Sequence, residues 1–245
     1  MVVRLLVALL VLGAGAVAEP RQPPPRASNS YHLPNTSQKL VDNRGRGYEP
    51  LYGTRNFRYV LRSVLFRGGA NNSMHRSSPR DNRNPLPVDG LKNLCAEGFG
   101  TAVYLYSRNY SSAPAQVKCR RNGSGDGHLA YVRLSPVSKP ELRRILETIH
   151  TAILKPAEVG PVYLHCWNGW HASGLASAVA LRQFCGVDAD TAVQYWERNT
   201  DGHNKENGYA GFREQIREFV PYRDLDVSAA RRREICPTRA QLLGE

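Results

Sequence analysis

The chain has 245 residues, with 33 Lys and Arg against 21 acids and a net charge of +12. That length is enough for one domain of ordinary size with a real core, and the charge favours anionic partners such as phosphoesters, anionic lipid surfaces or polyanionic glycans. The basic residues are scattered, and no Lys/Arg run interleaved with aromatics stands out, so nucleic acid is not expected as a partner.

Residues 1–18 carry Arg4, an apolar run over 5–12 and then Ala16-Val17-Ala18. This pattern predicts a secretory signal peptide cleaved near Ala18, too short to span a membrane, and hence a secreted or periplasmic protein. No later stretch is long and apolar enough for a transmembrane segment. Residues 19–58 read as a poorly structured lead, with Pro23-Pro24-Pro25 and a Ser/Asn-rich stretch, and with 48–59 as a partly ordered strap. A first strand is expected over 59–66, ending in Arg67-Gly68-Gly69. Arg67 is read as a surface charge or loop anchor in preference to an anion contact.

Residues 71–87 form a long polar loop, and 90–97 fit a helix with Leu91, Leu94 and Cys95 on one face, closed by Gly98. A β-favouring run follows over 101–106, then a polar Gly/Ser-rich loop over 109–127 and a strand over 129–134. Residues 139–153 form an amphipathic helix, with Leu142, Ile145, Leu146, Ile149 and Ile153 spaced for one face.

The stretch that organises the chain is Tyr163-Leu164-His165-Cys166-Trp167-Asn168-Gly169-Trp170-His171-Ala172-Ser173-Gly174. An apolar strand runs into a His-Cys pair, a short polar and aromatic loop follows, and a small, apolar, helix-favouring run occupies 175–184. Backbone N–H groups of such a loop and the positive end of the helix make an anion cradle with a thiol at its floor, the setting of a thiolate nucleophile. Beyond it, Asp188 is placed to cap a helix running through Val193 and Trp196. The polar loop over 199–208 is expected to lie over the site, bringing Asp201, His203 and Lys205; Asp201 is an outside candidate for an acid or base. A last helix covers 212–220, and 221–245 is a basic tail with Arg231-Arg232-Arg233 and Cys236. Alternating strands and helices predict one α/β domain over 59–220, a central mostly parallel sheet flanked by helices.

This loop resembles the phosphate-binding loop of the cysteine-dependent protein tyrosine and dual-specificity phosphatases, whose signature is His-Cys-x-x-Gly-x-x-Arg-Ser/Thr-Gly. His165, Cys166, Gly169, Ser173 and Gly174 match it, and Ala172 stands where the family has arginine. The resemblance implies a dual-specificity-phosphatase-like fold. It also implies that Cys166 attacks phosphorus, that Ser173 steadies the thiolate and that His165 orients the loop. Trp167, Asn168, Gly169, Trp170, Ala172 and Gly174 complete the anion-binding loop. The family's general-acid Asp lies after the strand that corresponds to 129–134, yet Ser135-Pro136-Val137-Ser138 contains no carboxylate. Losing both arginine and acid argues against ordinary phosphomonoester hydrolysis, while a phosphate-containing or other anionic ligand remains the expected partner. His171 is weighed as a partial substitute for the arginine, stronger in acid, against a simple capping or packing role. Trp167 and Trp170 either pack around the loop or form an aromatic wall.

Five cysteines, Cys95, Cys119, Cys166, Cys185 and Cys236, leave one thiol over in an oxidising compartment. The economical pairing is Cys95 with Cys119 and Cys185 with Cys236, keeping Cys166 free, although sequence alone leaves connectivity open. His165, Cys166 and His171, with distant His203, also suit zinc or copper by ligand type. Adjacent residues rarely share a metal and no ligand spacing supports the site, so neither metal nor cofactor is expected. Three functions compete: a pseudophosphatase retaining the cradle, a diverged Cys-dependent enzyme acting on an exported phosphoester, and a metal-binding or redox protein.

Overall fold

The computed structural model describes residues 31–71, 85–106, 110, 113–121, 125–205 and 207–244. The expected signal peptide and most of the expected 71–87 loop lie outside the described residues. Six strands, β1 (Thr54–Leu61), β2 (Leu65–Ala70), β3 (Thr101–Tyr104), β4 (Gln116–Arg121), β5 (Gly125–Arg133) and β6 (Val162–Cys166), form one sheet in the order β1-β2-β6-β3-β5-β4. The inner pairings β2–β6, β6–β3 and β3–β5 are parallel, and the edge strands β1 and β4 are antiparallel to their neighbours. This is the expected α/β class, a mostly parallel sheet flanked by helices.

One face packs against α2 (Lys139–Leu154), α4 (Ala172–Cys185), α5 (Ala189–Arg198) and α6 (Ala210–Glu218), through Ile145, Leu146, Ile149, Leu175, Val179 and Trp196 among others. The α2 stripe expected from the sequence is the stripe that is buried. The opposite face is covered by α1 (Val88–Ala96) and by the 31–53 segment, over an aromatic core of Phe57, Phe66, Phe99, Tyr104, Tyr131 and Tyr163. Asp188 caps α5 as expected, its carboxylate accepting from the Thr191 N–H at 2.8 Å.

Three boundaries need correction. The single strand expected over 59–66 is a hairpin: Ser63 adopts φ +59°, and Leu61 pairs with Leu65 across the turn. The sequence hides that turn because both strands are buried on both faces and neither shows alternation. The loop expected over 109–127 contains β4, an edge strand in which Val117 is buried while Gln116, Lys118 and Arg120 are exposed. A charged edge strand lacks the apolar signal that sequence reading relies on.

The ordered body also extends beyond 59–220. Val41 bridges to Gly47 and Phe57, Leu51 is buried, and Thr36 Oγ1 donates to the carbonyls of Gln241 and Leu242. At the other end α7 (Ala229–Ile235) and α8 (Arg239–Leu243) bring Ile235, Leu242 and Leu243 into the core, so the basic tail is part of the domain. A short α3 (Pro156–Val159) precedes β6.

Both expected disulfides form, Cys95–Cys119 and Cys185–Cys236, and Cys166 is free and buried. The second bridge spans 51 residues, so replacing Cys185 and Cys236 by Ala together is expected to cost about 4 kcal/mol of unfolding free energy from the entropy returned to the unfolded chain. Denaturant titration checks this, and an unchanged midpoint would mean that the tail is held by packing alone.

Candidate anion-binding site

The site sits where β6, in the middle of the parallel part of the sheet, ends and α4 begins, the usual position for a ligand in an open α/β sheet. The loop 167–171 owes its shape to partners that hold its carbonyls. Trp167 O accepts from the Ala70 N–H at 3.0 Å, and Asn168 O accepts from Asn56 Nδ2 at 2.6 Å. Arg67 Nη2 donates to Gly169 O at 2.6 Å and to Trp170 O at 2.9 Å, while His171 O accepts from the Leu175 N–H and from Trp196 Nε1.

A trans peptide is planar, with each C=O opposed to the next residue's N–H. Carbonyls tied to β1, β2, α5 and Arg67 therefore turn the following N–H groups the other way, toward the Cys166 side. Among the described residues, the N–H groups of Asn168, Gly169, Trp170, Ala172 and Ser173 have no protein acceptor. The first turn of α4 adds its own unsatisfied donors and the positive end of the helix dipole. The loop and the first turn of α4 thus carry a run of backbone donors without protein acceptors among the described residues.

Glycines make the close approach possible. Gly169 adopts φ +80°, and a Cβ there would lie 2.4 Å from Gly68 C. Gly69 is pressed as tightly, since a Cβ would meet Trp167 O at 2.3 Å and Asn168 C at 2.6 Å. Gly69 also pairs directly with Cys166 across β2 and β6. Arg67, read from the sequence as a loop anchor, is one: it is fully buried and spends two hydrogen bonds on the loop. Sequence reasoning missed Asn56 and Arg58. Arg58 pairs with Arg67 across the hairpin, is buried, and hydrogen-bonds Asn56 O and Asn199 Oδ1. Burial, and then the neighbouring Arg67 charge, lower its pKa to about 10, so it stays cationic at neutral pH. Neither arginine makes an ion pair among the described residues. Two buried guanidinium groups thus lend the loop positive potential from behind.

Cys166 and His165 are adjacent in sequence and lie on opposite faces of the sheet. Cys166 faces the α4 side, with its Sγ 3.5 Å from Ser173 Oγ. His165 is buried on the aromatic side, with ring centroids 5.3 to 5.8 Å from those of Tyr104, Tyr131 and Tyr163. The Tyr131 hydroxyl accepts from the Leu86 N–H and so donates to His165 Nε2 at 2.9 Å; Nδ1 then carries the proton and faces Cys166 O at 3.3 Å. A shared metal on His165 and Cys166 is excluded by this geometry.

The cleft above Cys166 encloses about 470 Å³. Its walls are Leu105, Tyr106, Trp167, Tyr209 and Phe212, with Ser135-Pro136-Val137 on one side and Asn168, His171 and Ala172 at the floor beside Cys166. No Lys, Arg, Asp or Glu lines it among the described residues. The Glu141 carboxylate, nearest in sequence to an acid for the 135–138 loop, accepts from the Ser135 N–H at 2.9 Å and serves that loop's shape. His171 packs: its ring stacks on Tyr209 at 3.9 Å, and Nε2 hydrogen-bonds His203 O at 2.5 Å.

The two loop tryptophans separate in role. Trp167 is 43% exposed and walls the cleft, whereas Trp170 stacks on His203 at 3.9 Å and donates to Asp201 Oδ2 at 2.9 Å. The 199–208 loop therefore touches the anion loop from outside, and Asp201 and His203 do not line the cleft; Lys205 is exposed. Burial alone would raise the Asp201 pKa, but hydrogen bonds from Lys39 and Asn43 outweigh it and the net shift is downward. An ionised carboxylate is the wrong form for a proton donor.

No protein-family model and no curated protein matches the chain. Among solved structures it is similar to the core catalytic domain of the PP-IP phosphatase SIW14 from S. cerevisiae, at 15% identity over 68% of this chain and 86% of that one, with TM-score 0.41. It is also similar to P. aeruginosa TpbA, at 17% identity over 66% and 86% of the two chains and TM-score 0.39. A third similar structure is DUSP15, at 16% identity over 73% and 93% with TM-score 0.42.

Two measurements probe the site. Gly69→Ala places its Cβ against backbone that cannot yield, so a loss of about 1–3 kcal/mol in stability and of inorganic phosphate binding is expected. Gly208→Ala, which meets nothing within 4 Å, is the neutral control in the same urea and binding titrations.

Burial lowers the His165 pKa to about 3, against the pull of its bond to Cys166 O, so the folded protein holds it neutral. The unfolded chain takes up that proton below about pH 6.5. The stability this residue contributes is complete above that pH and falls by about 1.4 kcal/mol per unit as pH drops toward 3. Unfolding free energy measured against pH should show a shallower acid slope in His165→Gln, and an unchanged slope would mean that the ring is not held neutral.

Proposed function

We propose that this chain is an exported phosphatase-like protein that binds a phosphate-containing anion in the Cys166 loop and has lost ordinary phosphomonoester hydrolysis. The observation that carries this reading is the pairing of a run of unpaired backbone N–H groups with a cleft that, among the described residues, no Lys, Arg, Asp or Glu lines. Backbone N–H groups suffice to hold an anion. Turnover asks for more. A general acid is typically worth about 10²–10⁴ in rate, and one preorganised charge-stabilising donor on the order of 10²–10³. Ala172 and the 135–138 loop supply neither. The two disulfides fit the oxidising compartment that the expected signal peptide leads to.

A second reading, a diverged Cys-dependent phosphatase acting on an exported phosphoester, is favoured by one observation. Cys166 is kept out of both disulfides, within reach of Ser173 Oγ, and pure binding does not require the thiol. Its chemistry would be attack of the thiolate on phosphorus, with expulsion of the alcohol or phenol and later hydrolysis of the phosphocysteine by water. Arg67 faces the loop carbonyls and so does not replace the missing guanidinium at the phosphate.

An aryl phosphate assay from mildly acidic to neutral pH, on the native chain, Cys166→Ser and Ala172→Arg, separates the two readings. Native turnover is expected at the Cys166→Ser background. Ala172→Arg is expected to bind inorganic phosphate at least about tenfold tighter, as a charge-assisted bidentate contact should, and to release a stoichiometric burst of phenol. Cys166-dependent steady turnover in the native chain would overturn the pseudophosphatase reading in favour of the second.

A further inference from the structure

Beside the Cys166 cleft lies a second hollow of similar size, about 470 Å³, between the start of α2 and the outer side of α6. The two meet at Val137, which lines both, and α6 runs along both, giving Phe212 to the first and Gln215 and Glu218 to the second, with Phe219 just past its end. Gln215 Nε2 donates to Pro136 O at 2.6 Å and fixes α6 against the 135–138 loop at that junction. The result is one groove with a polar backbone cradle at one end.

Its apolar surface is concentrated and exposed. Four of the chain's exposed large hydrophobics line it: Tyr106 at 37%, Trp167 at 43%, Val137 at 57% and Val220 at 76%. Isolated exposed apolar residues are ordinary, whereas a contiguous run of them leading from a polar pocket marks a binding surface.

We infer that this groove seats the hydrocarbon chain of a single-chain lipid monophosphate, with its phosphate in the cradle. The inference rests on the proposed anion-binding role of the loop. Charge selects the class. Among the described residues the cleft offers donors for one anionic group and no Lys or Arg for a second, and on the outer hollow Glu214 and Glu218 outnumber the single cation Lys139, which disfavours a ligand with further phosphates along its length. A peptide is disfavoured because the hollow is lined by helix side chains, while the sheet edges that could pair with an extended backbone belong to β1 and β4, remote from it.

The test is calorimetric titration of the full chain with inorganic phosphate, butyl phosphate and decyl phosphate, the last below its micelle concentration. Decyltrimethylammonium and a phosphotyrosyl peptide serve as comparisons. Decyl phosphate is expected to bind on the order of 10²-fold tighter than butyl phosphate, as burying several methylenes should give. Val220→Glu, at an exposed position, is expected to remove most of that gain and leave inorganic phosphate binding as it was. Equal affinity for the butyl and decyl compounds, with inorganic phosphate still bound, would overturn the inference and leave the cradle standing. Decyltrimethylammonium binding as tightly as decyl phosphate, or the peptide binding more tightly, would overturn it as well. If no phosphate compound binds at all, the anion-binding reading itself falls.

Discussion

Everything at this site depends on where five carbonyls point. A loop that leaves a strand and enters a helix has as many acceptors as donors, and whichever set faces inward decides whether it attracts cations or anions. Here Ala70, Asn56, Arg67, Leu175 and Trp196 claim the carbonyls of residues 167–171 from outside, which leaves the N–H groups turned toward Cys166. Gly68, Gly69 and Gly169 allow the backbones to touch, and the hairpin β1–β2 supplies the partners. The sheet edge built from β1 is thus the mould of the loop.

Charge is distributed around this mould unusually. Two cationic groups close to the loop, Arg67 and Arg58, stand behind it, buried and without carboxylate partners among the described residues, and a third, Arg55, is coupled electrostatically to Cys166 itself. The front, where a ligand would sit, is walled by aromatic and aliphatic side chains. Potential from behind attracts an anion but makes no contact with a phosphoryl group as it changes geometry. Stabilisation that is equal for ground and transition states favours binding without acceleration. This is the physical basis on which the proposed function separates anion binding from turnover.

Much of this was legible in the sequence, and the reasons are local. The amphipathic stripe of α2, the cap at Asp188 and the strand-loop-helix at 162–174 are short-range patterns, and the structure places each where expected. The economical pairing of the other four cysteines, which the sequence left open, is the one that forms. What stayed hidden depends on contacts distant in sequence. Asn56 and Arg58 reach the loop or its neighbours from more than 100 residues away, and nothing in their immediate context marks them. The hairpin was missed because both of its strands are buried on both faces, and β4 because an exposed edge strand carries charges in place of apolar alternation. The ordering of 31–53 and of the tail comes from their mutual contact at Thr36, Gln241 and Leu242, which no local window contains.

The most direct test of the account is amide-resolved NMR during titration with inorganic phosphate. If the loop is an anion cradle made of backbone N–H groups, the resonances of residues 168–173 should move first and furthest, saturating together, while those of the 199–208 loop and the α2–α6 groove stay nearly still. Shifts confined to surface Lys and Arg neighbourhoods, or no saturable shift in the loop, would contradict it and reduce the Cys166 loop to a structural turn.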